Sequence, residues 1–294
     1  MAEDGDVRVL GFPEYAGQSK KLAAELGVPC ELVDIHRFPD GESRVRLPIG
    51  LPPHVVFCRS LNQPNDKLVE LTLAAGTARE LGARRLTLVA PYLCYMRQDT
   101  AFEPGEAVSQ AIVGRWLGGL FDRVITVDPH LHRTATLDKA LPDTEAIALS
   151  AAPLMADYVR GLPDVPVLVA PDGEAEQWVA QIARLSGAAF SVATKQRRGD
   201  RDVSVELDDG KLEHRVAVLV DDIISTGETM AAAVRLARSA GAREIHCLVT
   251  HPLFCEGALE RLTEAGAHTI ISSDSISHDT NRLRLAPLIA PAVR

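Results

Sequence analysis

The clearest chemical signal lies in residues 216–229, where a run of five apolar residues leads into two acids and then into a turn rich in hydroxyls. The segment reads Val-Ala-Val-Leu-Val-Asp-Asp-Ile-Ile-Ser-Thr-Gly-Glu-Thr and is followed by a helical pattern. A helix that starts there would aim its unpaired backbone N–H groups at one point, and Ser225, Thr226 and Thr229 would add hydroxyl donors. This pattern predicts a binding site for an anion.

The composition of this turn indicates which anion it would bind. The turn contains no lysine, and the chain has no Gly-x-x-x-x-Gly-Lys-Ser/Thr segment of the kind that holds nucleotide β- and γ-phosphates. A phosphate monoester therefore fits better. Asp221 and Asp222 could accept hydrogen bonds from two neighbouring hydroxyls, and a sugar phosphate offers both groups. The alternative is a capped helix whose preceding strand merely ends in two acids.

The elements that must position these residues follow an alternating pattern of short apolar runs and helical stripes. One stripe runs over residues 68–78 and stops at Gly82, and another runs over 230–237 and stops at Gly241. Apolar runs joined by helices predict an α/β fold with parallel sheets. The predicted strands include residues 7–10, 55–58, 86–90, 124–127, 165–170, 216–220 and 245–249.

Prolines mark the ends of four of these strands. Proline cannot donate a hydrogen bond to a central ladder, so each one indicates where a strand leaves the sheet. The crevice beyond the carboxyl ends of parallel strands is where such folds bind ligands. The four residues are Pro91, Pro129, Pro171 and Pro252.

A weak internal repeat indicates two copies of one unit. Residues 78–86 align with residues 237–245, and each copy ends a helix at glycine before starting a strand; chance similarity is the alternative. The length of 294 residues fits two domains of about 150 residues each. We therefore predict tandem domains at 1–147 and 148–294, each a mainly parallel sheet flanked by helices.

Composition narrows the functional classes. Hydrophobic residues make up 46% of the chain and charged residues 24%, as in ordinary globular proteins. The net charge of −9 disfavours nucleic acid as the main partner. No apolar run approaches the roughly 18 residues of a membrane span, and the acidic start is unlike a targeting peptide. The odd number of cysteines, without a Cys-x-x-Cys, predicts reduced, buried thiols in a cytoplasmic protein.

Residues 216–229 resemble the phosphoribosyl diphosphate (PRPP) motif of the type I phosphoribosyltransferase fold. That resemblance implies that Asp221 and Asp222 hold the ribose hydroxyls. It also implies that the 5-phosphate is bound by the turn. The turn residues concerned are Ser225, Thr226, Gly227 and Thr229.

Five further segments resemble the ribose-phosphate pyrophosphokinase (PRPP synthetase) family, which has two tandem domains of this fold. They occur in the family's order, and the resemblance runs from about residue 10 to about residue 280. Ordinary phosphoribosyltransferases lack the whole amino-terminal half. The segments are residues 37–42, 65–71, 91–99, 126–130 and 193–198.

The resemblance assigns ATP to the first domain and to a subunit interface of a homo-oligomer. Phe38, Asp40 and Glu42 would contact adenine from a neighbouring subunit, and Arg97, Gln98 and Asp99 would hold the nucleotide. The residue types agree, since an aromatic ring can stack, carboxylates accept from an amine and arginine forks onto phosphate. Without the family, residues 38–42 would be a plain turn and residues 97–99 a solvated loop.

The family also implies a magnesium ion and a mobile catalytic loop. His130 matches its ligand for Mg²⁺ carried with ATP, and Asp172 matches the acid for a second metal at the sugar. An aspartate is a natural Mg²⁺ ligand and a histidine is unusual; a lone histidine is more often a packed residue. Lys195 and Arg197 match two basic residues that close over the triphosphate, whereas the plain reading of this region is an exposed hairpin.

The implied reaction moves the β,γ-diphosphoryl group of ATP to the 1-hydroxyl of ribose 5-phosphate, giving PRPP and AMP. Two alternatives remain: a phosphoribosyltransferase that uses PRPP, and a non-catalytic regulatory relative of the synthetase. The chain departs from many family members at Ser225, where they have an acid, and at Glu228, where they have glycine. Glu228 would be unfavourable beside a phosphate unless its side chain points away.

Overall fold

The computed structural model describes residues 7–131, 133–197, 203–206 and 212–294. The chain divides into two compact units. Unit 1 contains the chain up to Leu149 together with Ser275–Ser277 and Leu285–Arg294, and unit 2 contains Ser150–Asp274 and His278–Arg284. The predicted second domain, 148–294, was therefore wrong at its carboxyl end, because the last ten residues pack with unit 1.

Unit 1 is built on a six-stranded sheet in which every neighbouring pair is parallel. Its strands are β1 (Val7–Gly11), β2 (Cys30–Leu32), β5 (His54–Cys58), β6 (Arg85–Val89), β7 (Arg123–Val127) and β8 (Glu145–Leu149), in the order β2-β1-β5-β6-β7-β8. A separate antiparallel hairpin pairs β3 (Asp34–Arg37) with β4 (Ser43–Arg46). The helices are a 3₁₀ turn (Pro13–Tyr15), α1 (Ala16–Leu26), α2 (Pro64–Glu80), α3 (Ser109–Leu120), α4 (Leu137–Ala140) and α9 (Ala286–Val293).

Unit 2 repeats this plan. Its six parallel strands are β9 (Val167–Ala170), β10 (Ala189–Val192), β13 (Val216–Ile224), β14 (Glu244–Pro252), β15 (Thr269–Ser273) and β16 (Asn281–Leu283), in the order β10-β9-β13-β14-β15-β16. A hairpin again follows the edge strand, pairing β11 (Thr194–Arg197) with β12 (Val203–Glu206). The helices are α5 (Ala152–Arg160), α6 (Glu176–Ser186), α7 (Glu228–Ser239) and α8 (Ala258–Ala265).

The shared strand order agrees with the duplication predicted from the sequence, and it confirms the predicted α/β class. In each unit the direction in which successive strands join the sheet reverses once. This switch point lies between β1 and β5 in unit 1 and between β9 and β13 in unit 2. The aligned helix ends also match, because α2 and α7 both stop before a glycine with positive φ, at Gly82 (97°) and Gly241 (82°). Only glycine adopts this conformation without strain.

The main difference from the predicted strands concerns β13, which continues through the two acids to Ile224 instead of ending at residue 220. The extension is paired: Asp221 lies opposite Val249 and Ile224 opposite Pro252 of β14. Pairing with β14 therefore fixes the backbone of this acidic segment at the carboxyl ends of the strands.

Each unit has its own apolar core. Branched side chains of the strands pack on the inner faces of the helices, with Phe57 and Leu117 fully buried in unit 1 and Leu219 and Val234 in unit 2. Cys58, Cys94 and Cys247 are buried as predicted, and Cys30 is half-buried. Cys255 corrects the prediction, since it is exposed. Among the described residues no helix has both the length and the apolar character to span a bilayer.

The carboxyl-terminal helix α9 is part of the wall of unit 1. It packs on α1 and against β7 and β8. The Arg123 guanidinium donates hydrogen bonds to the carbonyls of Ala292 (2.9 Å) and Val293 (3.3 Å). Arg294 donates to the carbonyl of Glu25 (3.1 Å). These bonds satisfy carbonyls that the last helical turn leaves unpaired.

Candidate active site

The predicted phosphate turn joins the end of β13 to the start of α7 in unit 2. Gly227 is the N-cap of α7 with φ of 77°, a conformation that residues with a Cβ rarely adopt. A Cβ at this position would also lie 3.3 Å from the carbonyl oxygen of Ala258. Both constraints require glycine between Thr226 and Glu228. The turn therefore presents the first backbone N–H groups of a twelve-residue helix at the carboxyl edge of the sheet.

The hydroxyl residues of the turn face solvent to different degrees. Thr226 and Thr229 are exposed and Ser225 is half-buried. Glu228, which the sequence marked as unfavourable beside a phosphate, is exposed at the first position of α7. The turn thus keeps donors accessible at the edge where the acids of β13 end.

The environment of Asp221 and Asp222 makes two adjacent negative charges unfavourable. Burial, the adjacent negative charge of Asp222 and a hydrogen bond with its side chain, and the charge of Asp172 together raise the pKa of Asp221 well above its usual value. Asp222 is only 3% exposed. Carboxylates this close favour a ligand that brings hydroxyl donors or positive charge. Asp172 is thus close enough to the acid pair for its charge to act on Asp221.

Asp172 also fixes the loop that follows β9. One carboxylate oxygen accepts hydrogen bonds from the backbone N–H groups of Glu174 (3.0 Å) and Ala175 (3.2 Å), immediately before α6. The side chain is half-buried. The backbone of residues 174 and 175 therefore fixes the Asp172 carboxylate, and its negative charge acts on Asp221.

The structure adds two residues that sequence reasoning missed. The Arg261 guanidinium on α8 donates a hydrogen bond to the backbone carbonyl of Thr226 inside the turn. The Cys255 N–H donates to the carbonyl of Ser225 at 2.9 Å, and its sulfur lies 3.2 Å from the Ser225 hydroxyl. Both residues lie some thirty positions beyond the turn, so no local motif could reveal them. They support the turn through its own backbone carbonyls.

In unit 1 the predicted adenine residues lie on the hairpin β3–β4. The Phe38 N–H donates to the carbonyl of Glu42 (2.8 Å), and the Gly41 N–H donates to the carbonyl of Phe38 (3.0 Å). An Asp40 carboxylate oxygen accepts from the Glu42 N–H (3.2 Å), and Gly41 has φ of 95°. The predicted turn at residues 39–41 is thus present, and it leaves the Phe38 ring 43% exposed beside His36.

The segment of Arg97, Gln98 and Asp99 lies between β6 and α3 and is held from two sides. The carboxylate of Asp99 accepts hydrogen bonds from the backbone N–H and the guanidinium of Arg133, both at 2.9 Å. Burial acts to raise the pKa of Asp99, but these bonds lower it overall. The Gln98 carbonyl accepts from the Gln110 N–H (3.2 Å), while Arg97 is exposed. Asp99 thus orients the loop, and Arg97 is available to a ligand.

The remaining predicted residues are located only in part. His130 is half-buried beyond the end of β7 in unit 1. Lys195 and Arg197 lie on β11, opposite Val205 and Val203 of β12, which confirms the hairpin. Their side chains and residues 198–202 lie outside what the structure describes.

Comparison with known proteins decides the family. The ribose-phosphate pyrophosphokinase of Methanopyrus kandleri is 35% identical over 97% of this chain and 98% of its own length. That of Saccharolobus solfataricus is 34% identical over 92% of this chain and 93% of its own. The chain belongs to the ribose-phosphate pyrophosphokinase family.

The family assignment covers both units. A model for the N-terminal domain of ribose phosphate pyrophosphokinase matches residues 9–119, which include the hairpin β3–β4 and Arg97. A phosphoribosyl transferase domain model matches residues 138–277, which include the turn and its acids. The phosphoribosylpyrophosphate synthetase of Mycobacterium smegmatis superimposes with a TM-score of 0.84 at 25% identity, covering 98% of each chain. His130 lies between the two matched regions.

Proposed function

We propose that the protein transfers the β,γ-diphosphoryl group of ATP to the 1-hydroxyl of ribose 5-phosphate, producing PRPP and AMP for nucleotide biosynthesis. The observation that carries this proposal is the turn between β13 and α7. It combines a helix N-terminus and accessible hydroxyls for a phosphate with an adjacent acid pair for a diol. Membership of the ribose-phosphate pyrophosphokinase family supports the same reaction.

The sugar phosphate binds entirely within unit 2 in this proposal. Its phosphate accepts hydrogen bonds from the turn residues Ser225, Thr226, Gly227 and Thr229. Its ribose hydroxyls donate to Asp221 and Asp222. Arg261 and Cys255 position the turn through the carbonyls of Thr226 and Ser225. Held in this way, the 1-hydroxyl can attack the β-phosphorus in line, and catalysis rests on positioning and charge.

Magnesium fits the acidic group in unit 2. Within the described ranges, no three His, Cys, Asp or Glu side chains cluster closely enough to hold a metal by themselves. Mg²⁺ does not need them, since it usually takes one or two carboxylates, several waters and substrate phosphates. We assign one carboxylate to Asp172, and the raised pKa of Asp221 supports the binding of positive charge here. Bound Mg²⁺ would neutralise charge on the diphosphoryl group. His130 is the proposed ligand for metal carried with ATP.

The nucleotide is assigned to residues of unit 1. The exposed ring of Phe38 offers a stacking face, and Asp40 and Glu42 lie exposed on the same hairpin. Arg97 is exposed and can reach phosphate, while Asp99 holds its loop through Arg133. Lys195 and Arg197 on β11 are the proposed catalytic cations, because fixed positive charge facing developing phosphoryl charge lowers the barrier.

A homo-oligomer with the ATP site at a subunit interface completes the proposal. Exposed apolar side chains support it, since Val69 and Leu73 on α2 and Ile112 and Trp116 on α3 are 39–51% exposed and spaced four residues apart. Apolar pairs at this spacing form one face of a helix, which a second copy would cover. We also propose a cytoplasmic location, which the odd number of cysteines without a Cys-x-x-Cys supports.

The decisive experiment mixes the purified full-length protein with ATP, ribose 5-phosphate and Mg²⁺ and follows AMP and PRPP. Both products should form at equal rates and disappear when the metal is chelated. A folded protein that forms neither product contradicts the proposal. A protein that instead consumes PRPP with a nitrogenous base, without ATP, is a phosphoribosyltransferase.

Variants test the assigned roles. Exchanging Lys195 and Arg197 together for alanine should lower turnover by at least about a hundredfold while ribose 5-phosphate still binds. Exchanging Thr226 and Thr229 for valine should instead weaken ribose 5-phosphate binding. Thr263→Val is the matched control, because this threonine is exposed on α8 and donates only to the Leu259 carbonyl.

A further inference from the structure

A pocket of about 500 Å³ lies in unit 1 at the carboxyl ends of β1 and β5. The strand order reverses between these two strands. Open parallel sheets bind ligands at such a switch point. Its volume falls within the range of small-molecule sites. The assigned functional residues of unit 1 do not line it. Its lining includes the polar residues Ser60, Asn62 and Gln63 and five charged side chains.

The charged residues of this pocket carry more positive than negative charge. Arg37, Arg59 and Lys67 face Glu14 and Glu70, although the whole chain has a net charge of −9. Arg59 is 2% exposed and Lys67 8% exposed. Cations are buried to this degree only when their hydrogen bonds are largely satisfied.

Most donors of the two buried cations are already paired with protein groups. Arg59 Nε donates to Glu14 Oε1 at 2.7 Å, and its other nitrogens donate to Glu70 and to the Lys67 carbonyl. Lys67 Nζ donates to the Ser60 carbonyl and to Asn62 Oδ1, both at 2.8 Å, and the nearest carboxylate oxygen, Glu14 Oε1, lies 3.9 Å away. An ammonium has three donors, so Lys67 retains one for a ligand.

Ser60 gives independent evidence for a ligand. It lines the pocket, is only 2% exposed, and its hydroxyl has no hydrogen-bond partner among the described residues. A buried hydroxyl without a partner destabilises a protein. A ligand oxygen beside Ser60 and Lys67 would satisfy both groups.

We propose that this pocket binds a phosphoryl group, either free or as the monoester of a small hydroxylated metabolite. The hydroxyl of Ser60, the remaining donor of Lys67 and the amides of Asn62 and Gln63 would bind its oxygens. Glu14, 40% exposed in its side chain, would accept from hydroxyls of the metabolite. This site is separate from the proposed sugar-phosphate site in unit 2.

Lys67 gives the proposed binding a pH dependence. The pKa of Lys67 is lowered to about 8, mainly by burial and also by the charge of Arg59, against the opposing effects of Glu14, Cys94 and Glu70. A bound phosphoryl group would favour the protonated ammonium. A phosphate monoester is almost fully ionised above about pH 7, so in that range its affinity should fall as the pH rises through about 8, where the free protein loses this proton.

The test uses calorimetric titration of the full-length protein with inorganic phosphate, ribose 5-phosphate and AMP. The parent for all titrations carries Thr226→Val and Thr229→Val, so that the turn in unit 2 is weakened. Adding Ser60→Ala should weaken binding about tenfold, as expected for one lost hydrogen bond. Because that exchange removes an unpartnered hydroxyl, the melting temperature should stay level or rise. Lys67→Met should weaken binding further, while Lys20→Met, an exposed lysine on α1, should not.

The three probes separate the sources of the phosphoryl group. Binding of ribose 5-phosphate or AMP that is tighter than binding of inorganic phosphate and sensitive to Ser60→Ala identifies a monoester. If Ser60→Ala weakens the binding of inorganic phosphate but of neither monoester, the ligand is the free anion. If none of the three probes binds in a way that Ser60→Ala weakens, the proposal is wrong.

Discussion

The two units place opposite charges at the same point of the same fold. In unit 2 the apolar part of β13 leads into Asp221 and Asp222, and burial together with their mutual repulsion raises the pKa of Asp221. In unit 1 the end of β5 is followed by Arg59, which donates to Glu14 and Glu70 and lies 4.0 Å above the Phe12 ring. One crevice keeps unfavourable charge that a ligand would relieve, and the other is stabilised by its own side chains. Duplicated units can thus share a scaffold while one leaves its central charge for a ligand to relieve and the other pairs its central charge within the protein.

The two crossover helices also start alike. Gln63 precedes α2 and Gly227 precedes α7, and both have a left-handed conformation, with φ of 49° and 77°. A glutamine is strained in this conformation and a glycine is not. The turn geometry therefore persists in unit 1 without the residue that makes it favourable in unit 2.

Arg59→Gln should produce the largest effect. It leaves Glu70, whose side chain is 1% exposed, without its main cationic partner, and breaking a buried pair costs about 3–5 kcal/mol. Urea unfolding should show a loss of this size. Arg44→Gln is the control, because Arg44 pairs on the surface with Asp34 at 3.4 Å and should cost less than about 1 kcal/mol. Equal losses in both variants would show that the crevice of unit 1 is not held by this network.

Gly227→Ala should have the second-largest effect, and it should lower the enzymatic activity. The new Cβ meets the Ala258 carbonyl in an unfavourable backbone conformation, so the phosphate donors shift. We expect kcat/KM for ribose 5-phosphate to fall about a hundredfold, equivalent to about 2.7 kcal/mol. Gly17→Ala, at an exposed position of α1 with nothing within 4 Å, should leave activity unchanged. A Gly227→Ala enzyme with normal kinetics would mean that the turn does not bind the phosphate.

Asp221→Asn should raise stability, opposite in sign to Arg59→Gln. Because the pKa of Asp221 is raised in the folded state, that state holds a proton that the unfolded chain has released. The free energy of unfolding therefore falls as pH rises from about 4 through the raised pKa. Asparagine should remove this fall and add about 0.5–2 kcal/mol at pH 7, while activity is lost.

Melting curves from pH 4 to pH 8 test this expectation. Glu264→Gln, at an exposed position of α8, should keep the wild-type pH dependence. A parallel downward shift of the Asp221→Asn curve at every pH would show that the acid pair stabilises the fold instead.

Gln63→Gly should give the smallest effect. It relieves the left-handed strain before α2 but adds freedom to the unfolded chain, so a gain of at most about 1 kcal/mol is expected. Differential scanning calorimetry should show a small rise in melting temperature. A fall would show that the Gln63 side chain, which lines the pocket of unit 1, stabilises the fold by more than the strain costs.

The sequence predicted features whose determinants lie close together in the chain. Apolar runs located the strands, and Gly82 and Gly241 located the helix ends, because strand burial and left-handed caps depend on a few consecutive residues. The turn and its acids were found for the same reason. The family resemblance, and not any local pattern, assigned roles to His130, Lys195 and Arg197.

Features that depend on distant residues could not be predicted. Nothing near Thr226 points to Arg261, and nothing near Arg59 shows that Glu14 and Glu70 will satisfy it. The exposure of Cys255 depends on how residues 253–257 follow the turn, and the return of residues 285–294 to unit 1 depends on packing against α1. These contacts become visible only when the chain is folded.

That return has a consequence for how the protein is made. Helix α9 belongs to unit 1, yet it leaves the ribosome only after the whole of unit 2 has been synthesised. The wall formed by α1, β7 and β8 must wait, partly uncovered, while more than a hundred residues are translated, and contacts of such long sequence separation form slowly. Unit 2 is therefore the part of this chain that can finish folding first, although it is synthesised second.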